Sequence, residues 1–437
     1  MANADLTPEL VVALGRAAAR VLGPGPVLVG RDTRISGPLL QAALTAGITA
    51  EGEDVVDLEI LPTPGVARLS AEDDLPAAML SASHNPFSDN GIKFFAAGGK
   101  KLSDEVEQSL ERELDRLLER GVTDSPTGAD VGAVTPGLGA RERYEAYVMD
   151  TLEGRRLDGV KVVIDCAHGA AFAVAPRVLE RLGADVTVLN ARPNGTNIND
   201  GCGSTYPEGL QQRVVAEDAQ LGLAFDGDAD RVLAVDHEGR LVDGDQLIAV
   251  CALDRRERGL LVGDTVVVTI MTNFGFRLAM AEHGIKVVET AVGDRSVLEA
   301  LENGGWSLGG EQSGHLIFRD LATTGDGLLT GLQVVDVVTR TGRPLAELAG
   351  IMTRLPQVLR NVRVADRDGL EMAEALWADV RVAEAELGER GRVLIRPSGT
   401  EPVVRVMVEA QTRDGAEAVA ARLSESVERA LGLGQGP

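Results

Sequence analysis

Three aspartates at alternate positions, Asp226, Asp228 and Asp230, directly follow the apolar run Leu221-Gly222-Leu223-Ala224-Phe225. If the extended backbone of a strand persists through them, all three carboxylates fall on one side, where their mutual repulsion calls for a cation. Donors that are all oxygen suit Mg²⁺ or Ca²⁺ rather than zinc. A calcium EF-hand also carries alternate aspartates, but it needs Gly at the sixth loop position and Glu at the twelfth; here those are Arg231 and His237. Arg231 beside a cation site suggests a phosphate neutralised from two sides.

Three further loops carry groups of the same kind. Ser81-Ala82-Ser83-His84-Asn85-Pro86 follows the run Ala77-Ala78-Met79-Leu80 and turns sharply, with Asn90-Gly91 as a second turn and Lys93 close behind. A serine on such a turn can take up a phosphoryl group and pass it on when nearby cations and donors stabilise the transferring charge. The chain has five lysines in all, so one beside this turn is a candidate proton donor or acceptor. Gly310-Glu311-Gln312-Ser313-Gly314-His315 sets a carboxylate, a hydroxyl and an imidazole between glycines. Glu311 and Ser313 suit vicinal sugar hydroxyls, and His315 can move a proton near neutral pH. The Gly293-Asp294-Arg295 turn upstream is a second candidate for the same surface. Arg396-Pro397-Ser398-Gly399-Thr400, with Arg405 on the run that follows, has the composition of a phosphate clamp. Together these are the parts needed to move phosphate on a sugar phosphate.

The elements that must hold the loops read as one unit written three times. Each copy has a short aliphatic run, a helix, a second run, another helix, then a third run ending in one of the polar loops. The first copy places its runs at Val27-Leu28-Val29-Gly30, Val55-Val56-Asp57-Leu58 and Ala77-Ala78-Met79-Leu80. The second has Val162-Val163-Ile164-Asp165, Val186-Thr187-Val188-Leu189 and Leu221 to Phe225. The third has Val266-Val267-Val268, Val287-Val288 and Trp306-Ser307-Leu308. Strands this continuously aliphatic are buried on both faces of mostly parallel α/β sheets, and ligands gather beyond the carboxyl ends of such strands. Equivalent loops in three successive domains therefore converge on one cleft. A fourth, smaller α+β region has a strand near Val358 to Val364, a helix to Leu387, two strands flanking Arg396 to Pro402 and a last helix to Leu431. The expected domains are 1–140, 141–240, 241–352 and 353–437, in keeping with ~100–200 residues per domain.

A formal charge of -24 repels nucleic acid and anionic membranes at long range and argues against both as partners. An anionic substrate then needs clustered arginines that work against the global field. Cys166, Cys202 and Cys251 are odd in number and widely spaced, which suggests free thiols rather than a disulfide framework or a zinc site. No apolar run approaches the ~20 residues that span a bilayer. The expectation is a cytoplasmic protein.

On these motifs the chain resembles the α-D-phosphohexomutases over essentially its whole length, with all four loops in the family's order. The resemblance implies four domains around a central cleft, the first three sharing one α/β topology. It implies a phosphoserine at Ser83, and one Mg²⁺ held by Asp226, Asp228 and Asp230 together with a phosphoserine oxygen. His84, Lys93, Arg231 and His315 would belong to the catalytic surroundings. Glu311 and Ser313 would bind sugar hydroxyls with His315 nearby, and Arg396, Ser398, Gly399, Thr400 and Arg405 would grip the phosphate that is not being transferred. The implied reaction is an intramolecular phosphoryl transfer through a hexose 1,6-bisphosphate that turns around without leaving.

Gln312, where phosphomannomutases and phosphoglucomutases usually carry Met, resembles the glucosamine branch, as do Arg31 to Gly37 and Phe87 to Phe95. That branch interconverts glucosamine 6-phosphate and glucosamine 1-phosphate on the route to UDP-N-acetylglucosamine and the cell wall. The alternatives at this point are the mannose or glucose branch, a non-catalytic sugar-phosphate sensor and a metal-dependent sugar phosphatase. The partner is a small hexose phosphate, and the protein acts as a monomer or homodimer.

Family members open with a strand and a Gly-Thr-Asp-Gly-x-Arg-Gly segment in the active site, whereas this chain begins Met1-Ala2-Asn3-Ala4-Asp5. The resemblance therefore implies a first domain short of one strand and a cleft short of one arginine. The expectation is lower stability and weaker turnover than in a form extended upstream. Equal rates for the two forms would refute it.

Overall fold

The structure is a computed structural model and describes residues 1–120, 125–365, 368–398 and 401–432. In the first repeat, β1 (Val27–Arg31), β2 (Val55–Ile60), β3 (Ala77–Leu80), β4 (Ile92–Ala96), β5 (Lys100–Lys101) and β6 (Val134–Pro136) form a sheet in the order β5-β4-β3-β1-β2-β6. β1 pairs in parallel with β2 and β3, and β3 returns antiparallel as β4.

The second repeat repeats the pattern. β7 (Lys161–Asp165), β8 (Asp185–Leu189), β9 (Leu221–Phe225), β10 (Val232–Asp236) and β11 (Leu241–Val242) are ordered β11-β10-β9-β7-β8. In the third, β12 (Thr265–Thr269), β13 (Lys286–Thr290), β14 (Leu308–Gly310) and β15 (Leu316–Phe318) are ordered β13-β12-β14-β15. In every copy the first strand sits between the second and third in parallel, and the third leads into an antiparallel partner. The polar loops at 81–91, 226–231 and 311–315 are the connections from the third strand to that partner, so one topology delivers all three.

One strand differs from the expectation. The third strand of the third repeat is Leu308–Gly310, not Trp306 to Leu308. Trp306 instead closes the end of the helix Asp294–Gly304, donating its amide to the Leu301 carbonyl at 3.0 Å. The strand is hidden in the sequence because two of its residues are glycines. A Cβ on Gly309 would meet the Val267 carbonyl at 2.6 Å, and one on Gly310 the His315 carbonyl at 2.6 Å.

The chain forms two compact units: residues 1–271 with 284–351, and residues 272–283 with the stretch from 352 onward. The three repeated sheets lie in the first unit. Helix Pro8–Val21 starts where Thr7 Oγ1 accepts the Leu10 amide at 3.2 Å, the cap expected of Thr-Pro. It packs with helix Gly37–Thr49 on the core of β1 to β3, where Val11, Val27, Val29, Leu40, Leu44, Ile48 and Leu80 are buried. At the crossing of the two helices, a Cβ on Gly15 would lie 2.3 Å from the Leu44 carbonyl and one on Gly47 2.2 Å from that of Val12.

The second unit is an antiparallel sheet of β16 (Gln357–Arg363), β17 (Gly391–Pro397) and β18 (Val403–Ala410), with β18 central. It is covered by helices Glu374–Leu387 and Arg413–Leu431 over a core that includes Val404, Val406, Val408, Leu376 and Leu423. Helix Phe274–Glu282 joins this unit through one buried carboxylate. Glu409 accepts from the Phe274 amide at 2.9 Å, Asn273 Nδ2 at 3.1 Å and Arg392 Nε at 2.7 Å, so a negative charge sits at that helix's N-terminus.

The three cysteines are free and buried. Among the described residues no helix is long and apolar enough to cross a membrane. Because both helix backbones must shift to admit a methyl group, Gly47→Ala is expected to destabilise the protein by about 1–3 kcal/mol, measured by urea denaturation.

Candidate active site

Ser83 stands at the end of β3 in a left-handed backbone conformation, φ 51°, which a non-glycine residue holds only when its surroundings impose it. The surroundings are explicit. Its amide donates to Ser81 Oγ at 2.9 Å, and Ser81 donates to Asp32 Oδ2 at 2.7 Å. Asp32 pairs with Arg34 at 2.8 Å, both fully buried. Arg34 donates to the carbonyls of Ser83 and Asn85 at 2.9 Å each and of Asp89 at 3.0 Å, and also to that of Pro86. Asn199 Nδ2 donates to the Ser83 and Asn85 carbonyls at 2.9 and 3.0 Å. Four carbonyls of the loop are thus occupied by the side chains of Arg34 and Asn199, which helps fix where the serine hydroxyl points.

That hydroxyl donates to Asp226 Oδ2 at 2.6 Å, with His84 Nδ1 3.4 Å away. Asp226, Asp228 and Asp230 are buried, and one carboxylate oxygen from each lies within 4.8 Å of the others. Asp228 Oδ2 accepts from Lys93 Nζ at 2.9 Å and from Thr63 Oγ1 at 2.7 Å, and Lys93 is 3.6 Å from Asp230. Arg231 donates its amide to Asp226 Oδ1 at 3.2 Å, and its Nη1 lies 3.0 Å from His84 Nδ1. His315 places Nδ1 3.7 Å from Asp230 and Nε2 3.5 Å from Asp294, and Asp294 is paired in turn with Lys101.

The charges set one another. Burial and the two neighbouring carboxylates push Asp226 well above the usual carboxylate range, while Lys93 and His315 overcome burial and hold Asp230 well below it. Burial opposes the charge on Lys93 and on His315, but the facing carboxylates prevail and raise both above their ordinary values. His84 is lowered by burial and by the Arg231 guanidinium.

The trio fits a hard divalent cation. Its donors are all carboxylate oxygens, and Asp228 Oδ1 and Asp230 Oδ1 are buried without a hydrogen-bond partner among the described residues.

Four stretches of the chain match one family domain by domain: the phosphoglucomutase/phosphomannomutase alpha/beta/alpha domains I, II and III over residues 1–120, 142–239 and 243–355, and the C-terminal domain over 359–426. The chain belongs to the phosphoglucomutase/phosphomannomutase family. It is 53% identical to the phosphoglucosamine mutase of Thermobifida fusca, covering 99% of this chain and 97% of that one. To the phosphoglucosamine mutase of Saccharopolyspora erythraea it is 55% identical over 98% and 96%. The crystal structure of a phosphoglucomutase/phosphomannomutase family protein from Burkholderia thailandensis superposes with a TM-score of 0.81 at 25% identity, covering 98% of this chain and 95% of that one.

In this phosphoglucomutase/phosphomannomutase chain, Ser83, His84, Lys93, the aspartate trio, Arg231 and His315 form one contiguous cluster. Glu311 is tied into the third repeat by the Gly293 amide, which donates to its Oε1 at 3.1 Å, and Ser313 is exposed at the hairpin tip. Arg295 is not brought to the cluster. Its guanidinium pairs with Asp104 at 2.6 Å and with Glu107 and Glu299 at 3.2 Å, so helix Asp104–Arg120 of the first repeat takes up its charge.

In the second unit, Arg396 and Arg405 stand directly opposite each other on β17 and β18. Like charges in that register repel, which favours an anion between them. Ser398 is buried, and its Oγ lies 3.5 Å from Arg405 Nη2. Gly399 and Thr400 lie outside the described residues.

Sequence reasoning missed Thr63 and Lys101 as partners of the cluster, and Asp32, Arg34, Ser81 and Asn199 as its supports; Asp294 comes from the Gly293-Asp294-Arg295 turn singled out in the sequence. The available signal was placement: Asp32, Arg34, Thr63 and Ser81 all follow the carboxyl ends of β1, β2 and β3. Arg34→Met strands the buried Asp32 and four carbonyls, and is expected to destabilise the protein by about 3–5 kcal/mol, read by chemical denaturation.

Proposed function

We propose that this protein interconverts glucosamine 6-phosphate and glucosamine 1-phosphate through a phosphoserine at Ser83 and a glucosamine 1,6-bisphosphate, supplying UDP-N-acetylglucosamine for the cell wall from the cytoplasm. The observation that carries the reading is the Ser83 hydroxyl 2.6 Å from one of three buried, clustered carboxylates. The glucosamine phosphates as substrates are favoured by the two phosphoglucosamine mutase relatives, each above half identical over nearly the full length. In this reading the four domains span 1–140, 141–240, 241–352 and 353–437, one loop from each.

In the first half-reaction the free sugar hydroxyl attacks the Ser83 phosphorus. The bond from phosphorus to Ser83 Oγ breaks, a bond to the sugar oxygen forms, and the proton of that hydroxyl ends on Ser83 Oγ. His84, kept neutral by burial and Arg231, stands with Nδ1 3.4 Å from Ser83 Oγ as a base that takes up this proton in transit and passes it to the serine oxygen. Lys93, kept as an ammonium by Asp228 and Asp230, and Arg231 stabilise the charge that spreads over the transferring phosphoryl. His315, fixed between Asp230 and Asp294, handles the proton of the sugar hydroxyl on the third-repeat side. Asp226, Asp228 and Asp230 would hold Mg²⁺ with an oxygen of phosphorylated Ser83, and the ion supplies further neutralisation of phosphoryl oxygens.

Glu311 and Ser313 bind the sugar hydroxyls, and Arg396, Ser398, Gly399, Thr400 and Arg405 grip the phosphate that stays. After the bisphosphate turns around, the second phosphoryl returns to Ser83 by the reverse of the same steps. A purely binding protein would have no use for a serine held under strain against a carboxylate, which favours the enzyme over the sensor.

The test is a coupled assay of glucosamine, glucose and mannose 6-phosphates side by side with Mg²⁺, joined to intact-mass analysis. Expected are turnover of glucosamine 6-phosphate that EDTA abolishes and Mg²⁺ restores, one added phosphate on the protein, and a loss of ~10⁴-fold or more in turnover in Ser83→Ala, which also loses the phosphate. Release of inorganic phosphate in place of an isomer would make the protein a phosphatase, and binding without turnover a sensor.

A further inference from the structure

An extended backbone is not what brings the carboxylates of the trio together. Ala229, between Asp228 and Asp230, turns left-handed at φ 58°, a conformation that a residue with a side chain keeps only where its surroundings impose it. Two helix starts grip the loop at this turn. In helix Thr63–Asp73 of the first repeat, the Thr63 amide donates to the Asp228 carbonyl at 3.0 Å and the Thr63 hydroxyl to Asp228 Oδ2 at 2.7 Å. In helix Gly327–Thr341 of the third repeat, the Gly327 amide donates to the Ala229 carbonyl at 3.0 Å. The fit is close, since a Cβ on Gly327 would lie 2.4 Å from the Arg231 carbonyl.

One side chain joins the two helix starts. Tyr144, on helix Ala140–Asp150, is fully buried and takes no part in the reaction above. Its ring lies against the first turn of helix Thr63–Asp73, where a Cβ on Gly65 would be 3.2 Å from the ring carbon Cγ. Its hydroxyl donates to Asp326 and is 3.0 Å from both carboxylate oxygens. Asp326, buried as well, is the cap of helix Gly327–Thr341 and accepts the Leu329 amide at 2.9 Å. Tyr147, one turn further on, donates to the Leu321 carbonyl, five residues before that cap. Two of the chain's three tyrosines thus serve the stretch leading into this helix, and Tyr144 is the one that reaches its start.

A hydroxyl bonded to a buried carboxylate makes one of the stronger hydrogen bonds open to it. This bond ties the cap of one helix to a ring seated on the other, and so sets the separation of the two amides that hold the Asp228 and Ala229 carbonyls. Without it, helix Gly327–Thr341 keeps its cap but loses that tie. Ala229 is then freer to relax toward a commoner conformation, which spreads the carboxylates on either side of it.

We propose that Tyr144, acting through Asp326, is a positioning residue for the divalent cation, locking two helix starts against the turn that gathers the aspartate trio. The proposal rests on the reading of the trio as a cation site, and adds to it two residues that are not ligands.

The experiment titrates Mn²⁺, with the unbound ion read by electron paramagnetic resonance, into the EDTA-stripped full chain as wild type, Tyr144→Phe, Asp326→Asn and Tyr147→Phe. The phosphorylation state of Ser83 is matched by intact mass, and urea unfolding is followed on the same metal-free samples. Tyr144→Phe is expected to weaken Mn²⁺ binding by about threefold to tenfold, at or below the lower end of what groups that directly orient metal ligands contribute. Asp326→Asn keeps the cap and the volume but offers Tyr144 one oxygen in place of two, and should weaken binding in the same direction by about twofold or more. Tyr147→Phe should cost stability and leave the affinity within about twofold, as expected of a site that shares no partner with the trio. Lower stability with unchanged affinity in Tyr144→Phe would make the tyrosine a packing residue only, and an equal loss in Tyr147→Phe would mean general loosening of this region; either result overturns the proposal. Should Tyr144→Phe fail to fold, Asp326→Asn decides, and unchanged affinity there overturns it too. A wild type that binds no Mn²⁺ would sink the cation-site reading itself, a different failure from variants that bind the ion as tightly as the wild type does.

Discussion

Three carboxylates share a space in which one oxygen of each lies within 4.8 Å of the others, and all three are shielded from water. Like charges this close and this buried cannot all be carried without compensation. The surrounding chemistry reads as the answer to that constraint. Lys93 reaches Asp228 and Asp230 from β4, Arg231 lies against Asp230 at 3.8 Å, His315 approaches from the third repeat, and Thr63 donates from the end of β2. Even so, two carboxylate oxygens are left without hydrogen-bond partners among the described residues. The protein's own groups come from all three repeats and still leave room for positive charge. A divalent cation among these oxygens would supply that charge.

Getting groups from three repeats to one spot is a problem of chain topology. Each repeat solves it with a parallel core whose third strand doubles back, so that the doubling-back loop always emerges at the carboxyl end of the sheet. The loops differ in task but share an address. The first is held by a buried arginine that occupies four of its carbonyls, the second by the Ala229 and Arg231 amides, which donate to the Asp226 carbonyl and side chain, and the third by the close approach of the start of helix Gly244–Glu257, where Gly244 has no side chain. Preorganisation of this sort means that the groups stand in place before any substrate arrives.

Much of this was legible in the residues. Eight of the nine core strands expected in the three repeats lie where short, mostly apolar runs put them, because such runs have few other stable uses. The ninth was misplaced by two residues, since Gly309 and Gly310 carry no apolar signal and exist for close backbone approach, whereas Trp306 has a strong signal and ends a helix. The aspartate trio and Ser83 were readable because alternation and turn chemistry are local. Arg34 and Asn199 were not, since each acts on a residue more than 20 positions away and nothing in its neighbourhood announces the partner. Arg295 has partners just as distant: it pairs with carboxylates about 190 positions earlier, which its setting beside Gly293 and Asp294 does not announce.

The buried Glu409 has a bearing on how the protein can be taken apart. Because that side chain anchors the start of the helix Phe274–Glu282, the C-terminal unit is not one uninterrupted stretch of sequence. The polypeptide passes between the units three times, near residues 271, 283 and 351. A fragment cut at the apparent boundary around residue 352 would carry an acidic side chain in its interior with the helix amide it serves left behind. Excising the piece cleanly requires either grafting the short helix onto it or replacing Glu409 and Arg392 together, and any transplantation of this unit into a related scaffold inherits the same requirement.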